Sequence, residues 1–177
     1  MIQKSDGKIN RLFIIEAMLV GFWLGLAQVS LGFAILTGSG AMITHFFILT
    51  GCWLGGGIIG AFFLHRALTL LFPTALIGVV IGQTILREMP FMFTTQLIGF
   101  AAGGITGTFA GAYLTNRALV WEEVRRLLFY ENNGFIIGWA AATCMLLSYS
   151  KALSICTNAL GGVLVIVFYT LRLPTKT

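Results

Sequence analysis

Six long apolar stretches, at residues 12–36, 42–64, 67–86, 91–114, 134–150 and 152–171, take up most of this chain, and all of its charges but Glu16 lie outside them. A run of about 20 apolar residues is the length that crosses a hydrocarbon layer as a helix. Lipid offers no hydrogen bonds to a backbone, so such runs must satisfy their amides internally. The alternation of polar and apolar residues that a membrane β-barrel requires is missing. A soluble fold of 177 residues that are 58% hydrophobic and 10% charged could neither bury that apolar surface nor coat it. Three cysteines are too few for a disulfide-stapled secreted domain. The expectation is an all-α polytopic membrane protein, one transmembrane domain over residues 1–177 with six spans, integral to a bacterial inner membrane.

Orientation follows from the basic residues. With the N-terminus in the cytoplasm, that side holds Lys4, Lys8, Arg11, Arg66, Arg117, Arg125, Arg126, Arg172 and Lys176, leaving Arg87 and Lys151 outside. Both termini are expected inside. The net charge of +5 then reflects topology and attraction to anionic headgroups; the lipid bilayer is a partner and nucleic acid is not. The first apolar run has a basic flank but is too long for a signal peptide, contains Glu16 and lacks a small-residue cleavage site, so it reads as a retained helix. Pro73 falls early in the third run, where it is expected to kink or restart the helix. The longest loop carries Leu119, Val120, Val124, Leu127 and Leu128 at helical spacing among mixed charges, which suggests an interfacial amphipathic helix over about 118–130. It serves either to link two halves of a bundle or to dock a partner.

Glycine spacing is the strongest pattern. Gly99, Gly103, Gly107 and Gly111 share one face of the fourth run, with shorter pairs at Gly21/Gly25, Gly51/Gly55, Gly56/Gly60, Gly78/Gly82 and Gly134/Gly138. Small residues at this spacing let helices approach closely, which is a main source of packing energy in lipid. Static subunits and rocking transporters both use such seams. An internal echo relates the segment from Gly60 through Arg66 to Leu68 with that from Gly111 through Arg117 to Leu119; each ends a helix with glycine, an aromatic and Arg-Ala-Leu. Transporters often retain weak internal symmetry.

The run from Leu97 to Gly107, with the later Arg126, Leu127, Tyr130, Asn133, Gly134 and Gly138, resembles the fourth-to-fifth helix region of the major facilitator superfamily. It is more similar to the membrane domain of bacterial spermidine-synthase-like proteins, as is the Gly51-Cys-Trp-Leu-Gly-Gly-Gly57 run. The resemblance implies a six-helix bundle like half a major-facilitator fold, N-in and C-in, and a transport role. The acid of that family's cytoplasmic Asp-Arg motif is replaced here by His65 before Arg66. No nucleotide-binding segment follows the sixth run, so aminopropyl transfer is not expected.

Polar side chains at membrane depth are costly and are the default functional candidates. Glu16 lies about four residues, roughly 6 Å, into the first run. It can snorkel, pair with Arg66 or Arg117, or act as a proton-coupling carboxylate. Gln28, Ser30, Gln83, Thr94, Thr95 and Gln96 cluster towards the outer half, and Asn158 is outer to central. They either bond between helices or line a shallow pocket open to the outside, with Gln28, Gln83, Gln96 and Asn158 as candidate substrate-binding residues. His45 and His65 are 20 residues apart, about 30 Å on a single helix, and cannot share a haem iron. Cys52, Cys144 and Cys156 show no metal-ligand spacing and read as buried packing. No cofactor, metal site or catalytic constellation is expected, so the chain is not read as an enzyme. Two functions remain. One is a transporter-like module that binds or moves a small solute, as a homo-oligomer or with a partner, a size and topology shared with vitamin-binding subunits of energy-coupling-factor transporters. The other is a non-catalytic structural or assembly subunit among other membrane subunits.

Overall fold

The computed structural model describes residues 11–40, 43–119, 124–148 and 151–170, with only the backbone described for 151–154 and 170. It is all-helical, with no strand among the described residues. The elements are α1 (Arg11–Gly38), α2 (Ile43–Ile59), α3 (Leu68–Glu88), α4 (Phe93–Ala118), α5 (Val124–Ser148) and α6 (Lys151–Thr170). Three apolar helical stretches are long enough to cross a membrane: Arg11–Gly38, Ile43–Glu88 and Phe93–Ala118. The second, at 46 residues, is about 69 Å of helix at 1.5 Å per residue. That is twice a bilayer core, and the chain reverses within it. A π-helical turn at Gly60–Leu64 and a 3-10 turn at His65–Ala67 divide α2 from α3.

The reversal therefore sits at Gly60–Ala67, whereas Pro73 lies inside a continuous α3. Pro73 is in the second turn of α3, so the amide it lacks removes one early hydrogen bond without dividing the helix. The interfacial helix expected over 118–130 is not a separate element either. From Val124 onward those residues are the first turns of α5, and residues 120–123 lie outside the described part. Leu127 is fully buried and Glu131 nearly so. These two continue along the helix into Gly134 and Gly138, forming one stripe at spacings of four, three and four that keeps α5 unbroken.

Glycines set how the helices pair. A β-carbon at Gly21 would strike the carbonyl of Glu131, and one at Gly25 that of Phe135; reciprocally, Gly134 faces the Met18 carbonyl and Gly138 that of Phe22. The same geometry recurs between α2 and α4. Gly56 faces the carbonyl of Gly104, Gly60 that of Thr108, Gly107 that of Trp53 and Gly111 that of Gly57. In all eight cases the glycine opposes the carbonyl three positions before a partner glycine. The residue numbers rise together across both seams, so α1 runs parallel to α5 and α2 parallel to α4. Each seam admits Cα–H···O contacts worth about 0.5–1 kcal/mol apiece. The echo between residues 60–68 and 111–119 is the α2–α4 seam seen in sequence: the Asn116 amide donates to the His65 carbonyl at 3.2 Å, at the same offset of 51.

Two further contacts are antiparallel. Gly82 packs on Ala102 and Gly99 on Leu86, which sets α3 against α4; Gly162 packs on Leu76, which sets α6 against α3. Helix direction thus alternates along the chain, and α1–α3 and α4–α6 form two halves of opposite sense. The second helix of each half lies on the first helix of the other. At one level the core is aromatic: Trp23 meets Phe72 and Phe109 edge-on at centroid distances of 5.1 and 5.7 Å, and Phe72 meets Phe109 at 4.9 Å. Towards the far end Leu31, Ile35, Leu49, Leu86, Phe100 and Ala102 fill the interior.

Candidate functional site

Among the described residues, polar side chains pair inside the bundle near each end. At the end where α1 begins, Glu16 is 2% exposed and accepts from Arg117 Nε at 2.7 Å, with Nη2 at 2.6 Å from the same oxygen. Arg117 also lies over the Tyr169 ring, 5.2 Å from its centroid, so α1, α4 and α6 meet at one guanidinium. Of the pairings open to Glu16, the structure selects Arg117. Arg66, its counterpart in the echo, is exposed.

At the opposite end, a cavity of about 70 Å³ opens between α1, α3, α5 and α6, lined among others by Ser30, Gln83, Leu86 and Arg87. Gln83 is 3% exposed, and its Oε1 accepts from Asn158 Nδ2 over a long 3.4 Å. Its own Nε2 meets no acceptor among the described residues. A buried donor left in that state costs about 1–3 kcal/mol, so the site carries polar capacity that the fold does not use. The mouth is fixed by two reversals. Gly40 takes φ +71° after α1, and Phe91 takes φ +67° after α3. The Phe91 amide donates to the Gly38 carbonyl at 2.6 Å, tying the reversals together. A left-handed non-glycine residue costs about 1–3 kcal/mol, and Gly38 and Pro90 beside this turn both line the cavity.

Of the expected binding residues, Gln83 and Asn158 come together, and Ser30 shares the cavity wall with Gln83. Gln28 does not join them. It lines a separate lateral groove of about 340 Å³ between α1, α2 and α5, with Thr50, Trp53 and Trp139. Gln96 is buried on α4 but lines neither space, and Thr94 is exposed. Thr95 is occupied locally, its hydroxyl donating to the Met92 carbonyl at 2.7 Å. The reason is rotational: Gln28 lies two residues from Ser30, so the two occupy different faces of α1. Cys144 and Cys156 are exposed rather than packed inside, and Cys52 is half-buried. His45 stacks on Phe100 at 6.0 Å, and among the described residues no cluster of three metal-ligating side chains forms.

Glu131 was not singled out from sequence. Its side chain is buried in the seam between α5 and α1, and no hydrogen bond or ion pair engages its carboxyl among the described residues. The signal that could have found it is its place three residues before Gly134, on the glycine face of the helix. Comparison of the chain with models of known families, with characterised proteins and with solved structures finds no match.

Proposed function

We propose that the chain is an integral membrane module of six spanning helices, N-in and C-in, arranged like half of a major-facilitator fold, that binds or moves a small solute. One observation carries this reading: two halves of opposite sense enclose, at one end, a cavity lined by Gln83, whose buried amide donor is unused. Inverted repeats meeting at a polar site are a common plan in transporters. The membrane setting is supported by the inside-out surface. Phe47, Phe62, Phe63, Leu70 and Leu147 are all more than 60% exposed, an arrangement that water penalises and lipid does not. Arg87 is then external and Arg66, Arg117 and Arg126 internal.

The lateral groove supports the second reading, a structural or assembly subunit. It is apolar, larger than the polar cavity, and flanked by α2, which buries only Leu49 and Gly56 along its length. Purification from native membranes in mild detergent separates the two. A solute-binding module is expected as a monomer or homo-oligomer that loads proteoliposomes with solute; stoichiometric recovery of other subunits without flux overturns that reading.

A further inference from the structure

We infer that the cavity at the Arg87 end of the bundle is a binding site for a small organic carboxylate, held by the Arg87 guanidinium at the mouth and by the Gln83 amide within. This rests on reading Gln83 and Asn158 as the solute site. Because the Gln83 carbonyl oxygen is already taken by Asn158, what the side chain still presents is its NH₂ group. Gln83 lines the cavity at 3% exposure, and the donor it leaves unpaired there selects an acceptor.

Arg87 lies four residues further along α3, on the same face and about 6 Å nearer the mouth. Its nearest described acid is Glu88, at 4.0 Å and 70% exposed, which leaves the planar guanidinium fork available. Such a fork grips a carboxylate through two parallel hydrogen bonds. Among the described residues no acidic side chain lines the cavity, and they offer a cationic ligand no charged partner there.

Phe33, Leu86, Leu146 and Ile155 supply apolar wall that suits an alkyl group, beside Ser30 and a Thr37 hydroxyl that donates to the Phe33 carbonyl. At about 70 Å³ the space is roughly half the ~150 Å³ cavity that admits a benzene ring, so the ligand is a short monocarboxylate. Charge placement agrees. Arg87 and Lys151 are the two basic residues on this side, against the usual bias. Arg87 lines the cavity, and Lys151 begins α6 one turn before the lining Ile155.

The test uses the full chain in nanodiscs of phosphatidylcholine, with thermal unfolding followed by tryptophan fluorescence. Propionate is the probe, propionamide the uncharged isostere and chloride the ionic-strength control. Propionate is expected to raise Tm with saturation, and the two controls to leave it unmoved. Arg87→Gln, at an exposed position that leaves the unliganded Tm unchanged, is expected to weaken the apparent affinity at least tenfold. Gln83→Leu, which fills the same space without the donor, is expected to do likewise. Equal stabilisation by propionamide, undiminished affinity in Arg87→Gln, or a shift seen only with added phosphatidylglycerol each overturns the proposal. Flux measured in proteoliposomes keeps the two readings apart. Saturable propionate binding without flux overturns transport and leaves the site standing; solute flux without propionate stabilisation overturns the site and leaves transport standing.

Discussion

Arg117 on α4 holds Glu16 on α1, 101 positions earlier in the chain, through two nitrogens that converge on a single carboxylate oxygen. The pair joins the first helices of the two oppositely directed halves at the end away from the cavity. A buried pair of this kind does not add much net stability compared with an apolar pair, but neither partner tolerates isolation.

Replacing Glu16 by Gln or Arg117 by Gln is accordingly expected to cost about 3–5 kcal/mol each, nearer the lower figure because Arg117 is 14% exposed. The double change Glu16→Leu with Arg117→Met is expected to cost less than either single change. Reversible unfolding of the four proteins in mixed micelles checks the order. Single-change costs that simply add in the double variant would show that the two residues are not coupled.

The glycine seams make a prediction with an internal control. Alanine at Gly21, Gly134, Gly60 or Gly111 places a methyl group on a partner carbonyl, which forces the helices apart at about 1–3 kcal/mol. Gly51 and Gly55 have the same four-residue spacing, yet nothing lies within 4 Å of a β-carbon at either. Alanine there is expected to stabilise α2 by about 0.5–1 kcal/mol through helix propensity alone. Thermal unfolding of the two sets should shift in opposite directions.

That contrast also marks what was legible in the sequence. The spacing of glycines announced close packing, and the apolar runs placed α1, α3, α4 and α6 to within a few residues, because both are local periodic signals. Which glycine pairs meet is a non-local fact: Gly51/Gly55 and Gly56/Gly60 look alike in sequence, and the facing carbonyls of Gly104 and Thr108 decide between them. The helix α5 starts ten residues before its apolar run at 134–150, because charged Arg125, Arg126 and Glu131 flank a buried stripe only one residue wide. Depth alone grouped Gln28 and Gln96 with Gln83. Rotation about each helix axis separates them, and it cannot be read without knowing the neighbours.

Gln83 and Asn158 bond at 3.4 Å in a buried setting, and such bonds between membrane helices average about 0.6 kcal/mol. A double-mutant cycle with alanine at both positions is expected to give a coupling below about 1 kcal/mol. A larger coupling would identify the pair as a structural staple and remove the reason for treating its spare donor as a ligand group.

Glu131 carries a carboxyl into the α1–α5 seam without an ion-pair partner among the described residues. Glu131→Gln keeps the shape and removes the charge that burial penalises. This variant is expected to match or exceed the parent in unfolding temperature, whereas Glu16→Gln falls below it. A loss of transport in Glu131→Gln with stability intact would assign the coupling role to this carboxyl instead of Glu16.

Orientation offers the most direct check on the six-span arrangement. In a background with Cys52, Cys144 and Cys156 replaced, single cysteines introduced as Arg87→Cys, in the last turn of α3, and Arg66→Cys, in the 3-10 turn before it, flank a helix whose 21 residues span about 31 Å. Both native positions are exposed. A membrane-impermeant maleimide added to intact cells is expected to label position 87 at once and position 66 only after permeabilisation. Labelling of both from the outside would mean that α3 does not cross the bilayer. The halves could not then have opposite sense across it, and the positive bias that places Arg66, Arg117 and Arg126 inside would have to arise from something other than topology.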